Sequence, residues 1–223
     1  MDLKEAHDFI RYILEKERGG WVAPEEIDEN LHRAQWEKFN EDYGAYAFNQ
    51  NAKDALSPFS TKMQFTSANG IVSFPTTVGT IPFYEHLLSM YVQYYDNIAQ
   101  KIRYKSIKLL DEAQIAQRLD SQILAPLVTD PVGEQIGVGV FQLYPATNLA
   151  GYAYYLRQPI KPQFVYTFGT DGREIIYNQS ASTQMEWNLS SMNKILLKAI
   201  QLAGVNLNDE QIVQYTAAKD QQP

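Results

Sequence analysis

The hydrophobic period of this chain changes twice, and that change constrains the fold more than any other feature. From Leu3 to Tyr43 apolar residues recur at helical spacing. From Ser57 to Tyr177 they alternate, or cluster in short runs between turn residues, and from Met185 the helical spacing returns. A chain patterned this way predicts an α+β fold, with N-terminal and C-terminal helices flanking a central antiparallel β region that includes an extended β-hairpin or loop. The pattern divides the sequence into a helical part (1–56), an extended hairpin or loop (57–82), an antiparallel β region with a short helix (83–184), and C-terminal helices with a polar tail (185–223), read together as one compact unit.

Local signals place the helix ends. Asp2 with Glu5 has capping-box spacing, so a helix starts there, with Leu3, Ala6, Ile10, Ile13 and Leu14 on one face and Gly19-Gly20 as its stop. Pro24 suits the first position of a second helix, where its missing amide costs nothing, and Glu25, Glu26 and Asp28 complement the positive end of the dipole. Ile27, Leu31, Ala34 and Phe39 form its inward face, widened by Trp36 and Tyr43, and Gly44 is its predicted end. Near the C-terminus, Leu189, Met192, Leu196, Ala199 and Ile200 predict a helix over 185–202 with Gly204 as its stop, and Asn208 with Gln211 opens a last short helix.

The middle of the chain reads as strands. Asn69-Gly70 between Met63–Thr66 and Ile71–Phe74 predicts a hairpin. Leu88, Met90, Val92 and Tyr94 alternate in a strand that turns at Asp96-Asn97, and 101–110 runs back as its partner. Asp111-Glu112 with Ile115 and Leu119 predicts a short helix, 124–134 a proline-marked loop, and 137–144 a strand. The aromatic run of 152–156 predicts a strand buried on both sides, and 164–168 and 175–177 are a further pair around Gly169–Gly172.

Composition narrows the functions available. The 223 residues contain no cysteine, which excludes disulfides, thiolate metal sites and a Cys nucleophile. No run approaches the ~20 apolar residues that span a bilayer, and the charged N-terminus lacks a signal peptide's apolar region. Residues 1–60 carry 13 acids and 7 bases, a balance of −6, against 13 and 12 in the remainder, a balance of −1. Such an acidic chain lacks the basic footprint of a duplex-DNA reader and would repel DNA, as a passive conduit requires.

Signatures of catalysis and cofactor binding are absent from the sequence. His7, His32 and His86 are isolated from any metal-ligand spacing, and there is no Gly-x-Ser-x-Gly elbow. Gly137-Val138-Gly139-Val140 lacks the third glycine and following helix of a nucleotide cradle. The acidic pairs Glu25/Glu26, Asp111/Glu112 and Asp209/Glu210 all sit in predicted first turns, where the helix dipole explains them. The expectation is therefore a protein that is not an enzyme and holds no cofactor or metal. Lys101, Arg103 and Lys105 alternate on one strand face, where they either meet an acidic partner, a subunit neighbour or a DNA backbone, or shield an exposed sheet edge. The 15 tyrosines suit either an interface or the strand cores.

Several landmarks together carry a resemblance. They are the Leu3-Lys4-Glu5 start, the Lys16-Glu17-Arg18-Gly19-Gly20 break, the helix opened by Pro24, the Phe39 to Tyr43-Gly44 close, Leu143-Tyr144-Pro145, Tyr155-Leu156-Arg157-Gln158-Pro159, Glu186-Trp187 and Gln211-Ile212-Val213-Gln214-Tyr215. In these the chain resembles virion structural proteins of crAss-like and related Bacteroidetes-infecting short-tailed phages. The resemblance implies a subunit of the head-to-tail connector or tail barrel, closing into a ring, commonly twelvefold, below the portal. Implied partners are further copies of itself, the portal protein and other tail-ring or tail-hub proteins, with passive contact to genomic DNA in the lumen. The implied location is the virion, with the host cytoplasm during assembly. Within that picture the extended segment with Phe65, Asn69, Ile71 and Phe74 is expected to touch a neighbouring subunit or ring, as are Lys101, Arg103 and Lys105. The alternatives are an assembly factor absent from the virion, or a small hydrolase or carbohydrate-binding module acting at the host surface.

Overall fold

A computed structural model of the chain describes residues 2–18, 21–75, 83–170 and 174–204. Gly19-Gly20, the Asn208 cap, Asp209/Glu210 and the landmark at Gln211 therefore lie outside the described residues. The fold is α+β, with helices towards both ends of the chain, and its contacts fall into two units: 1–58 with 159–223, and 59–158.

The first unit contains α1 (Leu3–Arg18), α2 (Pro24–Ala45), α3 (Gln50–Leu56), the hairpin β9 (Tyr166–Phe168) with β10 (Ile175–Tyr177), and α5 (Leu189–Leu202). The capping box at the start of α1 is reciprocal: the Glu5 amide donates to Asp2 Oδ1 at 2.7 Å and the Asp2 amide to Glu5 Oε2 at 3.1 Å. Pro24 opens α2 as expected, but Gly44 lies inside the helix, which runs to Ala45. Helix α5 begins at Leu189, not at Met185, because Asn188 accepts from the Ser191 amide at 2.8 Å and fixes the first turn there. Gly204, at φ 85°, follows its end. The helices bury Leu3, Ile10, Leu14, Ile27, Leu31, Phe39, Ile195 and Ile200 almost completely, each such side chain contributing about 1.5–3 kcal/mol.

Polar groups are buried in the same core. His7 and Asp28 lie on the inward faces of α1 and α2, joined by a 2.8 Å hydrogen bond, and the second Asp28 oxygen accepts from the Phe164 amide at 2.9 Å. Asp28 therefore faces the core and is not the dipole-complementing surface acid that the sequence suggested. His7 also stacks on Phe164, with centroids 4.3 Å apart. Gln35 donates to the Ile160 carbonyl at 2.8 Å and accepts from the Trp187 indole at 3.3 Å. One turn on, buried Lys38 pairs with Asp42.

The second unit is built from two four-stranded sheets that share one core. The first has the order β1 (Ser60–Thr66), β8 (Ala150–Arg157), β3 (Tyr84–Asp96), β4 (Lys101–Ser106), all antiparallel. The second has the order β2 (Ile71–Ser73), β7 (Val140–Tyr144), β6 (Val132–Gly137), β5 (Lys108–Leu109), with β5 parallel to β6. Met90, Val92, Ala153, Tyr155 and Phe65 from one sheet meet Phe141, Leu143 and Val72 from the other. Helix α4 (Glu112–Asp120), capped by Asp111, connects β5 to β6 and buries Ile115 while Leu119 stays half exposed.

Four strand expectations change. The Asn69-Gly70 turn forms with both residues at positive φ, but its flanks do not pair as one long hairpin: β1 pairs with β8 and β2 with β7, so the turn is a corner between the sheets. Segment 101–110 is likewise divided, 101–106 pairing with β3 while Lys108–Leu109 joins the other sheet beyond buried Ile107. Segment 137–144 is not one strand, since the Gly137–Val140 stretch is the turn of the β6–β7 hairpin, with Gly139 at φ 65°. A register shift between Leu87 and Ser89 moves the inward alternation of β3 from Leu88 to Leu87.

Candidate functional site

Strand β4 is the feature that the fold does not use internally. It closes one edge of its sheet, and all six of its residues are exposed, so both faces of the strand are open to solvent. The distal half of β3, the turn 97–100 and β4 thus form an arm beyond the shared core. Its apolar residues face outward: Ile98 at the tip is 99% exposed, and Tyr95, Ile102 and Tyr104 are each more than half exposed.

The tip of the arm is held by a dense local network. Asp96 Oδ1 accepts from the amides of Ile98 and Ala99 at 2.9 and 3.0 Å, and Asp96 Oδ2 pairs with Arg103 Nε at 2.7 Å. The Ala99 amide, helped by the Ile98 amide and Arg103, holds the Asp96 carboxyl below the usual range despite some desolvation. The Tyr95 hydroxyl donates to Gln100 Oε1 at 2.9 Å, and Gln100, at φ 50°, returns a hydrogen bond to the Asn97 carbonyl at 2.7 Å. An exposed apolar tip ordered in this way loses little entropy when a partner covers it.

The two faces of the arm differ chemically. Lys101, Arg103 and Lys105 lie opposite Asp96, Tyr94 and Val92 and share one face; Ile102, Tyr104 and Ser106 lie opposite Tyr95, Gln93 and Tyr91 and share the other. The second face continues across β8 as a tyrosine cluster. Tyr152 stacks on Tyr91 at 5.1 Å, meets Tyr104 and Tyr154 edge-on, and has the Lys62 ammonium 4.4 Å from its ring centre. Tyr152, Gln64, Gln93 and Tyr104 wall an open depression of about 450 Å³. Strand β8 buries Ala153 and Tyr155 on one side, but on the other only Leu156 is buried, so the two-sided burial expected from its aromatic run holds at the Tyr155-Leu156 end and gives way to half-exposed rings at Tyr152 and Tyr154.

Of the residues expected to reach a neighbour, the structure places Lys101, Arg103 and Lys105 together on the arm. Asn69 is exposed and Ile71 is 42% exposed at the corner between the sheets, whereas Phe65 and Phe74 are core side chains. Phe74 packs against Tyr84, Phe141 and Tyr155, so neither phenylalanine presents a contact surface. Tyr95, Ile98, Ile102 and Tyr104 were missed, although apolar residues flanking the basic row at alternate positions are the signal that marks them.

The histidines lie apart. His7 is enclosed with Asp28; burial lowers the proton affinity of His32, with Lys161 adding to the effect, and burial also lowers that of His86. Among the described residues no three His, Cys, Asp or Glu side chains group as a metal site, and no helix is long and apolar enough to cross a membrane. No protein-family model matches the chain, and no curated protein matches it in sequence.

Proposed function

We propose that this protein is a structural subunit that closes into a ring, of twelvefold symmetry, in the head-to-tail connector or tail barrel of a short-tailed phage. The observation that carries the assembly role is the β3–β4 arm, an ordered strand pair whose outer strand β4 is exposed on both faces and whose tip carries an isoleucine 99% exposed. Soluble chains avoid such edges unless a partner covers them. The phage context rests on the sequence landmarks from Leu3-Lys4-Glu5 to Gln211-Ile212-Val213-Gln214-Tyr215. In this reading the subunit contacts its own copies, the portal protein and adjoining tail-ring or hub proteins, and performs no catalysis. Genomic DNA passes through the lumen without specific contact, a role to which a net charge of −7 is suited because it repels phosphates. Mass spectrometry of purified particles of the encoding phage tests the reading: the chain is expected among the virion proteins, at a copy number comparable to the portal. Its presence in infected cells but absence from particles would establish the assembly-factor alternative instead.

A further inference from the structure

Strand register builds the depression on the outer face of the sheet of β1, β8, β3 and β4. Gln64 of β1 lies opposite Tyr152 and Thr66 opposite Ala150, Tyr91 of β3 lies opposite Tyr152 from the other side, and Gln93 lies opposite Tyr104 of β4. Successive side chains of a strand point to opposite faces, so all of these stand on one face. Ala150 is the smallest of the residues that β8 sends to it, and the space above its methyl is the hollow of about 450 Å³. The wall is ordered before any ligand arrives: Tyr152 is fixed by its stack on Tyr91 and its edge contact with Tyr104, each at 5.1 Å.

We propose that this hollow binds carbohydrate, an oligosaccharide that carries an acidic sugar. The site stands apart from the ring reading, since neither it nor its test depends on how copies assemble. Three features of the wall name the ligand. Gln64, Thr66 and Gln93 are exposed, and among the described residues their side chains make no hydrogen bond to another group. A carboxamide presents donor and acceptor side by side, as neighbouring sugar hydroxyls do, so each glutamine can engage two hydroxyls. Tyr104, 53% exposed, and half-buried Tyr152 supply apolar surface for the C–H face of a pyranose. Lys62 is the charged residue of the wall. Its ammonium lies 4.4 Å from the Tyr152 ring centre and 5.8 Å from that of Tyr154, with no carboxylate partner among the described residues, and it is placed to take the carboxylate of an acidic sugar.

Other ligand classes fit the wall less well. It contains no His, Asp or Glu to hold a metal ion. An apolar peptide would strip water from both carboxamides and leave them without partners. A single-stranded nucleic acid could lay bases against the tyrosines, but its phosphates would meet Lys62 alone, because Lys101, Arg103 and Lys105 stand on the opposite face. Tight backbone binding uses roughly 6–10 phosphate contacts.

The test applies the full chain to an array of immobilised neutral, amino-sugar and uronic-acid oligosaccharides. The strongest binder is then titrated by isothermal calorimetry against the wild type and against Q64A/Q93A, Y104A and K62Q, each checked for retained fold by circular dichroism. The expected result is binding to chains that contain uronic acid, with affinity lowered on the order of tenfold in Q64A/Q93A through two lost hydrogen bonds, and by a similar factor in Y104A. K62Q is expected to reduce the affinity for the acidic chain to that for its neutral analogue. No binding anywhere on the array, or binding that survives both Q64A/Q93A and Y104A, overturns the site. Equal affinity of the wild type for acidic and neutral chains overturns the role given to Lys62. Tighter binding of a short oligothymidylate, abolished by Y104A, would reassign the face to nucleic acid and overturn the carbohydrate reading. Each of these outcomes leaves the ring reading standing.

Discussion

Replacing Asp28 with alanine gives the most direct test of how the helical unit is held together. The carboxylate accepts from His7 Nε2 at 2.8 Å and from the Phe164 amide at 2.9 Å, and it is 6% exposed. Alanine leaves both donors buried without that acceptor, at about 1–3 kcal/mol each, and the expected loss is about 3 kcal/mol. His7 Nδ1 already has no partner in the structure, so the ring cannot compensate by exchanging one bond for another. The assay follows from the sequence: the three tryptophans, Trp21, Trp36 and Trp187, all lie in the unit formed by 1–58 and 159–223, so tryptophan fluorescence reports that unit alone. With a urea dependence of about 1.5 kcal/mol/M, the midpoint drops by about 2 M. Asp28→Asn keeps the shape and one acceptor, and its midpoint should fall between those of the wild type and the alanine variant. A shift under about 0.5 M for Asp28→Ala would correspond to less than 1 kcal/mol, and would refute the assignment of the pair as a principal tie between α1, α2 and the segment at Phe164.

Gly151→Ala should disrupt the sheet of β1, β8, β3 and β4, because an added Cβ would overlap the Tyr91 carbonyl oxygen at 2.0 Å; a loss of about 3 kcal/mol or more is expected in denaturation followed by far-ultraviolet circular dichroism. Asn188→Ala removes the cap of α5 and should cost about 1 kcal/mol in the tryptophan assay. For pH, burial holds His86 below the ordinary value of 6.5, so the unfolded chain takes up its proton first on acidification. Stability present above 6.5 is therefore lost as the pH falls through the folded value, and His86→Gln should flatten the dependence of the midpoint between about pH 7.5 and pH 5.5.

What was legible in the sequence was mostly local. The Asp2/Glu5 box, Pro24, the helix start at Asp111-Glu112 and the Asn69-Gly70 turn each act within a few residues, and each forms, with Asp111 serving as the cap and not as the first-turn acid expected. What those signals do not encode is which distant strand a flank pairs with. β1 and β2 reach β8 and β7, which lie about 70 to 90 positions further along the chain, and so the local hairpin reading gave way to a corner. Tyrosine misled in β8 because an amphipathic ring is as much at home in a half-exposed cluster as in a core.

The buried polar row had a signal that went unused. His7 falls on the same stripe as Leu3, Ile10 and Leu14, and Asp28, Gln35, Lys38 and Asp42 recur with Leu31 at inward spacing, so polar residues at core positions could have been paired in advance. The arm was half legible. Its three cations were visible as an alternating row, but the exposure of both faces of β4 depends on where the second sheet ends, which no local pattern states.

The central claim is assembly into a ring, and cryo-electron microscopy of intact phage particles, averaged around the portal axis, tests it most directly. The account predicts closed-ring density between portal and tail into which this chain can be traced, with the β3–β4 arm of each copy seated on its neighbour. Particles in which every ring is accounted for by other chains would contradict it.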